Sequence, residues 1–431
     1  MNPLFFTLVF TGFCATAWQQ IQWVPMATEQ APMQLLTQGM METAAASVTL
    51  AMGLIGVMAL FLGLIKVAEQ GGLLTILARL IRPIMVPLFP DVPPDHPAMG
   101  AMILNMAANA LGLGNAATPF GIRAMHELDR LNPHKGTVTN AMALFLSINT
   151  ASITLVPSSV IAVRASLGSQ DPAAILPTTL FATVCATLTA IGSAKLYQRF
   201  SPLPTASEPP PTTAEPAAPL ADQAALPDSA GYPTWLSWMA IVGLLGLIPL
   251  TIHYGKAISA WVIPGLVVGF LGFGLLRGVR VYEAFVEGAR EGFEVAVRII
   301  PYLVAILVAV SMFRSSGALA YLVHLLTPLT TPLGLPAEAL PMALLRPFSG
   351  SGAYGIMTAI MQDPATGPDS YIGLLVSTIQ GSTETTFYVL AVYLGAIQAR
   401  RMRHTLAAAL TADVAGISAA VFICAQLFGG R

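Results

Sequence analysis

The chain has 431 residues, of which 55% are hydrophobic and 10% charged, with 20 basic against 21 acidic side chains and a net charge of −1. Soluble domains carry about 25% charge, so this composition, with a mean hydropathy of +0.71, marks an integral membrane protein whose first partner is the lipid bilayer. The basic residues sit at segment ends without aromatic interleaving, which leaves no nucleic-acid footprint, and Cys14, Cys185 and Cys424 stand singly without metal or disulfide spacing.

A spanning helix needs about 20 mostly apolar residues. The first candidate, 3–22, contains Ala15-Thr16-Ala17, which resembles a cleavage site, but no Lys or Arg precedes its apolar core. It is read as a retained helix. The next spans fall at 47–66, 137–163 and 173–197. Residues 201–234 follow (SPLPTASEPPPTTAEPAAPLADQAALPDSAGYPT), rich in Pro and Ala and without an apolar period, as expected of an extended linker. Beyond it come spans at 236–254, 257–276, 298–314, 370–396 and 404–428. The segment VYEAFVEGAREGFEVAVR (281–298) reads as an interfacial helix, with Phe285, Phe293 and Val297 on one side and charges on the other. Gly265, Gly269 and Gly272 in one helix fit close packing, within the chain or in a homo-oligomer. The expected domains are a membrane half over 1–200, the linker, and a second membrane half over 235–431.

Two further apolar segments, 97–125 and 336–362, are interrupted by polar, glycine-rich sequence at 105–118 (NMAANALGLGNAAT) and 349–355 (SGSGAYG). Non-helical backbone at membrane depth is tolerated only where protein encloses it or it lines a polar cavity. A pair of such breaks at corresponding points of two halves points to a transporter-type binding site. The halves can be aligned: GLLTILARLIRPIMVPLF (72–89) on GALAYLVHLLTPLTTPLG (317–334) puts Gly72, Pro83 and Pro87 on Gly317, Pro328 and Pro332. Upstream, Gly39 and Glu42 match Gly288 and Glu291; downstream, SINTAS (147–152) lies on TIQGST (378–383). If both broken segments are re-entrant hairpins and the amino terminus is cytoplasmic, every basic residue except Arg164, Lys256, Arg314, Arg346 and Arg431 falls inside. That bias obeys the positive-inside rule. The expected fold is therefore all-α, with two inverted-topology repeats, each holding a re-entrant hairpin and broken helices, and about nine spanning helices plus interfacial ones.

Ionisable residues inside membrane segments are functional candidates by default. Arg346 precedes the second break, Glu384 lies in QGSTETT, and Asp413 is a buried ionisable residue of the last segment. Glu384 with Gln380, Ser382, Thr383 and Thr385 would bind a polar solute or a coupling cation, sodium or a proton; sodium suits oxygen ligands near Glu384. Arg346 would meet an anionic group, and Ser349 and Ser351 are further candidates for binding the solute. The alternative is a buried ion pair of Arg346 with Glu384 or Asp413 that locks the second hairpin. In the first half, Asn105, Asn109, Asn115, Thr118 and Asn149 offer uncharged donors and acceptors to a small polar solute. Alternatively Asn105 and Asn109 cap the hairpin backbone. The string GLGNAA (112–117) mimics a dinucleotide fingerprint without a β-α-β unit around it. SGSG (349–352) lacks the first glycine of a serine-hydrolase elbow. No enzyme, no metal centre and no other cofactor is expected, and the six histidines fall at expected loops or helix ends.

At the level of strings, FPDVPPDHPAMGAMILNMAANALGLGNAATPFGIRAM (89–125) and SINTASITLVPSSVIAVR (147–164) resemble spore maturation protein A. RPFSGSGAYGIMTAIM (346–361), STIQGSTETTFYVLAVYLGA (377–396) and RHTLAAALTADVAGISAAVFIC (403–424) resemble spore maturation protein B. The resemblance covers nearly all of the chain outside the linker and implies a natural fusion of the two. It implies a nucleoside-recognition or gate-type membrane family, similar in layout to concentrative nucleoside transporters, in a bacterial cytoplasmic (inner) membrane. The expected function is alternating-access transport of a small polar, nucleoside-like solute; the alternative is a membrane protein that acts through partners in envelope or spore maturation without transporting.

Overall fold

A computed structural model describes residues 2–24, 30–112, 114–203, 232–330 and 334–429. Most of the linker, Pro332 and the side chain of Asn115 lie outside the described residues. Within them the chain is helical almost throughout, and extended backbone pairs only in an isolated bridge between Thr137 and Arg401.

Helix α1 (Asn2–Gln22) precedes α2 (Pro32–Gln70), which meets α3 (Leu73–Leu88) at Gly72. Helices α4 (Pro97–Ala110) and α5 (Gly114–Arg130) form a hairpin, and α6 (Asn140–Thr150), α7 (Ser158–Ser166) and α8 (Leu176–Tyr197) complete the first half. After the linker, α9 (Thr234–Leu276) leads to α10 (Val281–Ser315) and α11 (Ala318–Thr330). Helices α12 (Leu340–Leu345) and α13 (Gly350–Gln362) pair, then α14 (Tyr371–Ser382), α15 (Thr386–Ala396) and α16 (Thr405–Phe428) follow. One order thus recurs from α2 to α8 and from α10 to α16. Gly72 and Gly317 take φ of +84° and +75° at the matching turns, a left-handed conformation that glycine adopts without steric cost. Pro83 and Pro328, aligned from sequence, both lie inside the helix that follows.

The long helices α2 and α10 pack against each other along their length. Their contacts run in opposite order: Thr43 Oγ1 donates to Ser311 Oγ at 3.0 Å, and Lys66 lies 3.5 and 3.2 Å from Glu287 and Glu291. The pair is antiparallel. Small residues set the distance, since a Cβ on Gly288 would lie 2.4 Å from the Leu62 carbonyl and one on Gly292 2.7 Å from Ala59 Cα.

Three stretches among the described residues are long and apolar enough by themselves to cross a bilayer: Pro32–Gln70, Pro172–Phe200 and Thr405–Phe428. Several expected boundaries differ. The segments at 137–163 and 370–396 are not continuous; they break at 151–157 and 383–385. Pro157 has no N–H to donate and holds its predecessor extended, while at the second break the Ser382 hydroxyl bonds back to Ile379 O. The second polar interruption is shifted to 346–349, because Ser349 caps α13 by accepting from Gly352 N at 3.0 Å and the glycine-rich string beyond it is helical. The expected spans at 236–254 and 257–276 are one helix, α9. The expected interfacial helix and the span after it are also one helix, α10, which contains Pro301 and rests on α2.

Two apolar cores result, and each draws on both halves. In one, α2 and α7 pack with α10, α13, α14 and α16; in the other, α3, α4, α5 and α6 pack with α15. The segments α6/α7 and α14/α15 therefore each send one piece into each core, with the break between them.

Candidate functional site

The interruptions converge. At the tip of the first hairpin, Leu155 N donates to Ala110 O at 3.0 Å, and Gly112, at φ +76°, comes so near that a Cβ would lie 2.8 Å from Val156 O. Across the fold, Glu384 N in the α14/α15 break donates to Thr150 O at the end of α6 at 2.8 Å, and Phe387 N donates to Pro347 O at 3.0 Å. Backbone groups at the interruptions thus find partners within each half and, at Glu384 and Thr150, across them, as interrupted helices at membrane depth require.

The first half contributes an asparagine cluster. Asn105, fully buried, donates from Nδ2 to Ala117 O at 2.7 Å and so ties α4 to α5. Its Oδ1 accepts from Asn149 Nδ2 at 2.6 Å and from Asn109 Nδ2 at 3.5 Å, and Asn109 Nδ2 also donates to Asn149 Oδ1 at 3.0 Å. The cluster reaches the second half through Tyr393, whose phenol accepts from Asn105 at 3.4 Å and faces Thr118. Gly121 makes room for that ring, since a Cβ there would stand 2.4 Å from the Tyr393 hydroxyl.

The second half contributes the charges. Arg346, buried at the end of α12, donates from Nη1 to Thr385 Oγ1 at 3.1 Å and from Nη2 to Thr383 O. It lies 3.8 Å from Glu384, whose side chain is 49% exposed. Of the two carboxylates, Glu384 is the one within ion-pair distance of Arg346, and it is half exposed where a buried pair was expected. Asp413, 2% exposed, instead accepts at Oδ2 from Thr386 Oγ1 at 2.7 Å. Ser349 is a helix cap, Ser382 bonds back to Ile379 O at 2.9 Å, and Ser351 is half-buried in the first turn of α13. Around the crossing, several buried polar atoms have no hydrogen-bond partner: Gln380 Oε1, Thr383 Oγ1, Asp413 Oδ1, Thr179 Oγ1, Ser152 Oγ and Arg346 Nε. Buried polar groups are rarely left so, and their concentration makes this crossing the polar centre of the fold. Among the described residues no group of three His, Cys, Asp or Glu could hold a metal ion.

Three participants are additional to those expected. Tyr354 of α13 donates to Ser159 Oγ at the start of α7, and Tyr393 joins the asparagines. A tyrosine within an apolar segment needs a partner for its hydroxyl, which is the signal the sequence offers for both. The third is Arg164 at the end of α7, 0% exposed. It donates to Asp369 Oδ1 at 3.0 Å, Ser169 Oγ at 3.1 Å, the Asp171 and Pro172 carbonyls at 3.2 Å each, and Pro368 O. A second clasp joins the loop before α6 to the loop before α16: Val138 N donates to Arg401 O at 3.0 Å, Arg400 N to Gly136 O at 2.8 Å, and Arg403 Nη1 to Asn140 Oδ1 at 2.9 Å. His404 beside it is buried with both ring nitrogens unpartnered, unlike a solvated loop histidine.

A family model, Gate, described as nucleoside recognition, matches residues 51–195 and 296–400. Those stretches run from within α2 into α8 and from within α10 to beyond α15. Spore maturation protein B of Bacillus subtilis (strain 168) is 48% identical over 172 residues, 40% of this chain and 96% of the relative. Spore maturation protein A of the same organism is 44% identical over 159 residues, 37% of this chain and 81% of the relative. Each matches a part of the chain, consistent with a fusion of the two. The inner membrane protein YjiG of Escherichia coli (strain K12) is 30% identical over 105 residues, 24% of this chain and 69% of the relative. No solved structure matches.

Proposed function

The chain belongs to the Gate family, described as nucleoside recognition, and on that premise we propose that it is an alternating-access transporter of a small polar, nucleoside-like solute in a bacterial inner membrane. The observation that carries the reading is the meeting of four helix interruptions at one place, where buried polar atoms are left without partners. Transporters build midplane sites from discontinuous helices in this way. An inverted arrangement of the two repeats is supported by the antiparallel α2/α10 pair, the two left-handed glycine turns and the recurring element order. In this reading the hairpins α4–α5 and α12–α13 are re-entrant from opposite sides, and the two clasps close opposite faces in turn. Glu384 and Gln380 hold the solute from the second half, and Asn109 with Asn149 meets it from the first.

The test uses the purified full chain in detergent. Nucleosides, amino sugars and small acids are screened by thermal unfolding, because a ligand that binds only the native state must raise the midpoint. Glu384→Gln is expected to abolish the shift while the protein stays folded; a ligand shift that survives this change sinks the site assignment. Orientation is checked after replacing the native cysteines. Single cysteines at Arg130 and Arg401 should be shielded from an external impermeant thiol reagent and one at Asp363 should react, and external labelling at Arg130 would remove the inverted arrangement.

A second reading draws on the names of the two Bacillus relatives: the protein supports envelope or spore maturation through partners and transports nothing. It expects no solute to shift the unfolding midpoint, and expects Glu384→Gln to retain the partners that co-purify with the unaltered chain.

A further inference from the structure

We propose that Asp413 of α16, with Thr383 and Thr386 of the α14/α15 break, forms a binding site for a sodium ion. The inference deepens the transport reading by placing the coupling ion, yet it can be tested without any solute. Glu384 is a poorer seat for a cation: it is half exposed to solvent and already faces Arg346 at 3.8 Å. Asp413 is 2% exposed, and among the described residues no Lys, Arg or His nitrogen lies within ion-pair distance of it. Arg346 is the charged group that acts on it, but the guanidinium spends its hydrogen bonds on Thr383 O and Thr385 Oγ1. A buried carboxylate met by hydroxyls, with a guanidinium acting on it only from beyond ion-pair distance, is poorly compensated until a cation joins it.

The oxygens that would receive such a cation are at hand. Asp413 Oδ1 and the Thr383 hydroxyl are both buried and face each other, close enough to interact but without a well-formed hydrogen bond between them. Thr386 Oγ1 is held 2.7 Å from Oδ2. Gly416, on the same face of α16 about one turn past Asp413, brings the break against the helix: a Cβ there would lie 2.8 Å from Thr383 Cγ2. Hard cations choose carboxylate, hydroxyl and carbonyl oxygens, and the C-terminal end of α14 aims the negative end of its dipole at this point. A single carboxylate fits a monovalent ion better than a divalent one. Bound there, the ion would fix Thr383 and Thr386, the two residues that flank Glu384 and Thr385, and so set the geometry that Arg346 and Glu384 present.

Thermal unfolding of the full chain in sodium, potassium and choline chloride, at equal ionic strength and pH and with no solute present, decides the matter. Sodium is expected to raise the midpoint in a saturable manner. Asp413→Asn should lose that rise, Thr383→Val should move the titration to higher sodium, and Glu384→Gln should keep it. Should Asp413→Asn fail to fold, Thr383→Val and Thr386→Val carry the test. Equal midpoints in the three salts overturn the proposal, as does a sodium rise that persists in Asp413→Asn or a midpoint that follows pH and ignores sodium. Failure to find a transported solute touches none of these outcomes, so the two readings fail separately.

Discussion

The asparagine cluster of the first half and the charged cluster of the second occupy corresponding places in the chain order yet are finished differently. Asn105, Asn109 and Asn149 bond to one another and to backbone, forming a neutral, largely closed network. Arg346, Glu384 and Asp413 are distributed around a three-residue break, with open valences on Asp413, Thr383, Gln380 and Arg346. Polar residues at membrane depth can therefore serve either to hold a hairpin shut or to keep a site open, and the count of unmade hydrogen bonds separates the two.

Substitutions test that distinction. The largest loss of stability is expected from Arg346→Ala, because a buried cation that grips Thr383 O and Thr385 disappears; about 3 kcal/mol is the scale for breaking such a buried charged contact. Denaturation in detergent measures it, and Arg346→Lys should recover only part, having no planar fork. Asn105→Ala should cost about 2 kcal/mol, since a buried amide partner is removed from both Asn149 and Ala117. If it instead spares the fold and abolishes a ligand shift, Asn105 is a binding residue and not the tie of the hairpin, and the contrast collapses. Glu384→Gln should be the mildest for the fold, since its side chain is half exposed and a partly solvated pair contributes little; a cooperative unfolding transition close to the unaltered one checks this.

Much of this was legible beforehand. Composition alone gave the membrane class, and the two aligned glycines, Gly72 and Gly317, both sit at left-handed turns in the structure. Arg346, Glu384 and Asp413 stood out because charge is costly in apolar segments. The breaks in 137–163 and 370–396 were harder to see, because the hydrogen bonds that make an unwound backbone tolerable come from far away: Glu384 N finds its partner at Thr150. Pro157 and the polar string GSTETT were the local clues. Arg164 was invisible for a related reason. An arginine at a helix end is ordinarily hydrated, and only the loop bearing Asp369 makes it a buried one.

The clasp at Arg164 also bears on how the protein is made. Arg164 and Asp369 are 205 residues apart in sequence, and a ribosome working at about 5–20 residues per second needs roughly 10 to 40 s to pass from one to the other. Throughout that interval Arg164 in the emerged first half lacks its Asp369 carboxylate, and the face of α2 that will meet α10 lacks its partner. The Pro- and Ala-rich linker keeps the late half tethered to the early one, so that docking is a unimolecular event at high effective concentration and needs no encounter between separate chains in the plane of the membrane.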